Sequence, residues 1–596
     1  MFQNLFLHNR DSLLFCVSTL ISTSMSSTSD LYGQSLFSWK WLVHFRRTLH
    51  MYPEPSFEEY VTAALVQKIL VNDAAIEPSQ IRCHLGKDDK TKPGTGIIVD
   101  IMGEGDVIEG CNKKRLIMFR ADLDALRMQE ENTNDQIPYR SIRDNCAHMC
   151  GHDGHVAALI GLAIVLNKST FKRLIPSNIG ARLIFQPAEE YIGGAEPMIK
   201  LANCLQDVEE VYGWHNWPLV DLGTVLLKEG AVMAHETEFY ITIRGKGGHA
   251  SAPDKCIDPI VCASNIVMSL QTIISRFLPS STNAVISVTQ FHCGPLNLES
   301  LKNCESKKNE KDESKDRMES LLKNSATNII SDICYLSGTI RDCDREKTFL
   351  DIVKYMRQIV ACTSESYQCI GELEIVEQYM ETRNSKDCVA IVEKCVNKSM
   401  FTSPRPGNSN QNERADAIMF PTNINKVTTD GLPLMGSEDF AYYLKERPGC
   451  FVIVGTKEDC FKNLTKFDFD KGEAIRSLND GIETHNSEKH SIISEKAEQK
   501  RQKIFESDQK EDSHKNSRHN PDNNTPFYEQ LDSYAKKRSN CCAHGSTFDF
   551  NDNVLPSIIS LFLNIASDRL IEDNLKQKLF KESLVISEEG IYLNKS

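Results

Sequence analysis

The chain has 596 residues, 82 of them acidic and 68 basic, for a formal net charge of −14. That length exceeds one ordinary core, so two or more domains are expected, and 40% hydrophobic with 25% charged residues excludes a wholly disordered chain. The acidic balance argues against a nucleic-acid partner, and 20 cysteines without framework spacing exclude a small disulfide scaffold and favour reduced thiols.

Residues 1–35 read as an N-terminal tail. Leu13 to Met25 is mildly apolar but too short to span a bilayer, and Arg10 followed by Asp11 makes a poor signal segment. The expectation is a cytoplasmic protein with no membrane segment. The first ordered element is expected near Ser38. Phe57 to Leu70 has helical spacing of apolar residues. Gly96 to Met102, Leu116 to Arg120 and Ala181 to Phe185 are strand-length apolar runs, and His155 to Leu166 reads as a buried helix. Alternating strand and helix signals predict an α/β domain with a mostly parallel sheet.

The pattern changes near residue 233. Strands over Glu236–Arg244, Asn283–Phe291, Ile333–Arg341 and Glu372–Tyr379 alternate with helices over Asp258–Phe277 and Glu346–Val360. That βαββαβ order predicts an inserted ferredoxin-like domain over 233–382, between catalytic segments 36–232 and 383–596. Two polar stretches, 302–323 and 457–540, read as surface insertions, and Leu555 to Ala566 as a closing helix.

Five clusters carry metal-binding side chains: FRADLDAL at 119–126, CGHDGH at 150–155, FQPAEE at 185–190, GWHNWP at 213–218 and HGSTFDFND at 544–552. Several follow predicted strands, where an open α/β sheet gathers its ligands. Cys150 and His152 flank one glycine, so both side chains can turn to one centre. Glu189 and Glu190 must diverge, so one can bind a cation while the other carries protons. Taken singly, Cys150 could be a buried thiol, the glutamates a solvated pair and His215 a satisfied core histidine.

With RRTLHMYPEPSFEE (46–59), GKGGHASAP (245–253), GTIR (338–341) and MGSEDFAYY (435–443), these clusters resemble the M20 metallopeptidase family, in its amidohydrolase branch. That branch holds hippurate hydrolases, N-acyl-amino-acid amidohydrolases and indole-acetyl-amino-acid hydrolases. The resemblance implies a zinc-peptidase-like catalytic domain with an inserted lid through which the chain forms a homodimer. It implies two divalent ions (Zn, Mn, Co or Ni) on Cys150, His152, Glu190, His215 and His544. Glu189 would be the general base, Asp124 would orient a ligand, and His249 would reach the partner subunit's site. Asn328 and Arg341 would meet the carboxylate of an N-acyl amino acid. Within the resemblance, His485 and His519 mimic the last ligand, but only His544 precedes Phe548-Asp-Phe-Asn-Asp552 at the family's offset. A dipeptidase or carboxypeptidase of the same family, or an inactive paralogue serving as a binding module, are the alternatives. Glu438 and Asp439 are read as part of a helix cap through Ser437.

Overall fold

The computed structural model describes residues 35–87, 93–107, 113–134, 136–191, 193–294, 327–397, 424, 426–457 and 543–571, with the backbone of 584–587 and 590–593. The N-terminal tail up to residue 34, the stretch 302–323, residues 458–540 and the decoys His485 and His519 lie outside the described residues.

The larger α/β part opens with α1 (Trp39–Met51), whose N-terminus is capped by the Ser38 hydroxyl on Trp41 N. Helix α2 (Tyr60–Asn72) begins three residues later than its apolar pattern, because Phe57 sits at φ 59°, outside helical space. Then come β1 (Ile81–Leu85), β2 (Gly96–Met102), β3 (Arg115–Asp122), α3 (His152–Leu166), β4 (Ile179–Gln186), β5 (Val208–Asp221) and β6 (Thr224–Leu226).

The lid follows as β7 (His235–Arg244), α4 (Pro259–Thr272), β8 (Ala284–Cys293), β9 (Ile333–Asp342), α5 (Leu350–Ser366) and β10 (Ile370–Glu377). The chain returns through α6 (Lys386–Asn397), β11 (Lys426–Thr428), α7 (Ala441–Glu446), β12 (Gly449–Lys457) and α8 (Leu555–Leu570).

The large sheet has eight strands in the order β11-β6-β12-β5-β3-β4-β2-β1. Its central run β12-β5-β3-β4 is wholly parallel, while β1, β2 and the β6–β12 contact are antiparallel. Strand β4 is buried along its whole length, as expected of a strand covered on both faces. Every residue of α3 is buried, which explains its lack of a polar face. It lies among the sheet, α1 and α8, with Gly161 facing Ile559 so closely that an added Cβ would sit 2.5 Å from Ile559 Cδ1. Burial of each of its Leu, Ile and Val side chains contributes roughly 1.5–3 kcal/mol.

The lid sheet, in the order β8-β9-β7-β10, is antiparallel throughout, the ferredoxin-like arrangement that the pattern predicts. Helix α4 and the following turn Ile273–Phe277 are long and apolar enough to cross a membrane, but Cys262, Ala263, Ile266 and Leu270 are buried in the lid core. Cys293 and Cys334, directly opposed across β8 and β9, are joined as a disulfide, a departure from the expectation of reduced thiols.

Candidate metal centre

Strand ends and one helix start build the site. Gly151 adopts φ 98° just before α3, and a Cβ there would meet Asn216 Oδ1 at 2.4 Å. Only glycine fits that turn, and the turn lets Cys150 and His152 face the same space. At the end of β4, Ala188 takes φ 55°, with its N–H on Glu59 Oε1 at 2.9 Å. This left-handed residue turns the chain so that Glu189 and Glu190 project separately. His215 rides on β5, next to β12.

Asp124 fixes this frame. Its carboxylate accepts the backbone N–H groups of Glu189 and Glu190, each at 3.0 Å, and the Ser56 hydroxyl at 2.6 Å. Its backbone carbonyl accepts from His152 Nδ1 at 3.0 Å. Since a carbonyl can only accept, Nδ1 holds a proton, which leaves Nε2 as the nitrogen that would face a cation. That buried Nε2 has no hydrogen-bond partner. His215 repeats the arrangement: Nδ1 donates to Asn216 O at 2.7 Å, leaving Nε2 3.3 Å from Cys150 Sγ.

His544 Nε2 lies 3.2 Å from Glu190 Oε1, and the ligand atoms of Cys150, Glu190 and His544 lie within 4.8 Å of one another, as do those of Cys150, His152 and His215. A carboxylate, a buried thiol and two oriented imidazoles suit divalent cations. Without a cation, burial opposes a charge on His152 while Asp122, Asp124 and Glu190 raise it to about 10, and the same negative field would favour a cation in place of the Nε2 proton. Burial, with His155 and His152, holds His215 well below the usual imidazole range. Burial, then Glu438 and Glu190, push the Glu189 carboxyl well above the usual carboxylate range.

His544 is carried by a loop sewn into the domain. Its N–H donates to Met149 O at 2.7 Å, Glu131 N donates to Ser546 O at 2.8 Å, and Tyr139 OH donates to Asp549 at 2.7 Å. Arg46 of α1, fully buried, grips Asp552 with two nitrogens at 2.8 and 3.0 Å and reaches Asp153 at 3.2 Å.

A cavity of about 600 Å³ opens above these groups, lined among others by Cys150, Glu189, Glu190, His215, His544 and Arg341. The lid closes one side of it, with Tyr379 OH donating to Glu189 O at 3.0 Å. His249 and Asn328 do not line this cavity. They lie together on an exposed ribbon of the lid, where Ala250 N donates to Asn328 O and His249 Nδ1 bonds the Ser251 hydroxyl at 2.7 Å. The cap expected from Ser437 is absent: its hydroxyl turns to Glu236, while Glu438 and Asp439 bind the buried Arg120 at 2.9 and 2.7 Å.

Two residues escaped the sequence reading. Asp122 bonds His155 at 2.6 Å and lies 3.6 Å from His152 Nε2; its place two residues before Asp124 at the same strand end was the available signal. Glu236, which looks like one polar position of an alternating strand, faces the cavity.

The profile of Peptidase family M20/M25/M40 matches residues 118–485. The chain belongs to the M20 family of peptidases. The matched span stops before His544, so that histidine's place rests on its approach to Glu190. An N-acetylcysteine deacetylase from Bacillus subtilis is 31% identical over 415 residues, covering 70% of this chain and 88% of the relative. A hippurate hydrolase from Campylobacter jejuni is 29% identical over 427 residues, covering 71% and 90%. A solved dinuclear metal-binding M20 peptidase from Bacillus subtilis shares the fold, with a TM-score of 0.53 at 22% identity over 89% of this chain and 98% of that one. The protein is therefore an M20 hydrolase with an α/β catalytic part and a separate antiparallel lid sheet.

Proposed function

We propose that this M20 hydrolase cleaves the amide bond of small N-acyl amino acids. The observation that carries the reading is a pair of ligand clusters sharing Cys150, one with His152 and His215 and the other with Glu190 and His544, at a cavity that also holds Glu189. Those five side chains would hold two divalent cations, of Zn, Mn, Co or Ni. When bound, such ions supply polarisation of the amide carbonyl and a more acidic water.

This chain's residues do the rest. Glu189 would take a proton from the attacking water and deliver it to the departing nitrogen as the C–N bond breaks and the C–O bond forms. Its high proton affinity, set by burial beside Glu438 and Glu190, suits the second half of that task. Asp124 would keep both glutamates and His152 aligned. Arg341 would meet the substrate carboxylate, while Asn328, exposed beside His249 and away from this cavity, would reach a substrate only across a lid-mediated homodimer. In a homodimer formed through the lid, the partner subunit's His249 would stabilise the developing oxyanion.

The test is a panel of hippurate, N-acetyl amino acids and dipeptides, each with Zn, Mn, Co or Ni supplied. Turnover of the acylated amino acids, lost in Glu189→Gln, supports the reading. Turnover of dipeptides alone moves it to a dipeptidase, and no turnover with both cations bound makes the chain a binding module.

A further inference from the structure

The chain enters the lid at the start of β7 and leaves it after β10, and the two crossings are tied together. Glu236 N donates to Tyr379 O at 2.8 Å, and Gln378 N donates to Glu236 O at 2.9 Å. From that crossing the Tyr379 side chain runs into the cavity, where its hydroxyl donates to Glu189 O at 3.0 Å. Its ring lies against Gly193, at φ 78°, where an added Cβ would come within 2.9 Å of Cε1. Burial, then Asp439 and Glu189, push the phenol above the usual tyrosine range, so the hydroxyl keeps its proton and donates.

The bond falls on one particular peptide unit. Glu189 C=O and Glu190 N–H belong to the same planar group, with the proton carrier on one side of it and a metal ligand on the other. Its N–H donates to Asp124 Oδ2 at 3.0 Å, from the larger part of the protein. Its C=O accepts from Tyr379, from the lid crossing. Asp124 also holds Glu189 N–H, but that group belongs to the preceding peptide. A rigid plane held at one end can rock about that hold, and rocking swings both carboxyl groups. Held at both ends it is fixed, so the seating of the lid is felt at Glu189 and Glu190 through one hydroxyl.

We infer that Tyr379 is a positioning residue: seated by the lid crossing, it clamps the peptide between Glu189 and Glu190 and keeps both carboxyl groups at their working geometry. The part that concerns Glu189 rests on the amide-hydrolase reading. The part that concerns Glu190 rests only on its binding a cation.

Tyr379→Phe keeps the ring on Gly193 and removes the hydroxyl alone. Tyr442→Phe is its control: that hydroxyl donates to Gln378 O at 2.9 Å, so it anchors the same crossing from α7 rather than the turn. Two readouts are taken on the Zn-loaded chain, release of Zn to a chromogenic chelator and kcat and KM on hippurate. In Tyr379→Phe, Zn release should quicken about tenfold and kcat should fall by about 3–10-fold, with KM within about twofold of wild type. Tyr442→Phe should match wild type in both readouts. Zn release unchanged in Tyr379→Phe, or equally quickened in Tyr442→Phe, overturns the inference. So does a rise in KM at constant kcat, which would put the hydroxyl on the substrate. A wild type that holds Zn but turns over neither hippurate nor another N-acyl amino acid removes the hydrolase reading alone, and Zn release then decides the clamp.

Discussion

Replacing Arg46 by Gln should both destabilise the protein and loosen its metal centre. Arg46 is fully buried and joins three elements: it holds Asp552 bidentately, Asp153 at 3.2 Å and Asp549 at 3.5 Å. Its guanidinium also lies 4.8 Å from the centre of the Tyr139 ring. Asp153 has no exposure, so removing the cation leaves a buried carboxylate with His50 as its remaining ion-pair partner among the described residues. Breaking a buried pair from one side costs about 3–5 kcal/mol. In a domain of this size each kcal/mol lowers Tm by roughly 2–4 °C, so a fall of about 6–20 °C is expected by calorimetry. The loop carrying His544 loses an anchor at Asp552, so metal content after dialysis, read by ICP-MS, should drop as well. A Tm within about 2 °C of wild type together with full metal content would refute the reasoning.

Three further outcomes follow from the geometry. Glu189→Gln should lower kcat by ~10²–10⁴ while leaving metal bound; ordinary turnover would remove Glu189 from proton transfer. Asp124→Ala frees the Glu189 and Glu190 backbone at once, and should weaken metal affinity by about 10–100-fold in a chelator titration. The third outcome concerns His50, where burial opposes the charge but Asp153 and Glu130 win, raising it to about 9. A raised histidine stabilises the fold fully below about pH 6.5, the unfolded value, and the contribution fades as pH climbs through 9. Urea midpoints should therefore fall between pH 6.5 and 9.5, by on the order of 2–3 kcal/mol in stability, and His50→Asn should flatten that slope.

Much of this architecture is legible in the sequence, for physical reasons that differ between elements. β2 and α3 announce themselves because continuous apolar runs have few other places to go than the interior. The lid was readable because half-exposed strands alternate, and βαββαβ admits few folds. Cys150-Gly-His152 and Glu189-Glu190 were visible because adjacent residues in a sharp turn share one environment. The Arg46 network was not, since its partners lie up to 506 residues away in sequence and a charged residue on a first helix reads as a solvent face. Local spacing suggests a cap at Ser437, whereas its hydroxyl satisfies a glutamate about two hundred residues upstream. Glu236 was passed over for a related reason: alternation tells which face a side chain takes, not that a cavity lies there.

The most direct test is metal stoichiometry on the intact chain. After loading with Mn or Zn and gel filtration, the account predicts two ions per chain by ICP-MS, with anomalous peaks among Cys150, His152, Glu190, His215 and His544. Cys150→Ser and His544→Ala should each retain fewer. Loading that leaves the purified chain metal-free, or stoichiometry unchanged in both variants, would contradict it.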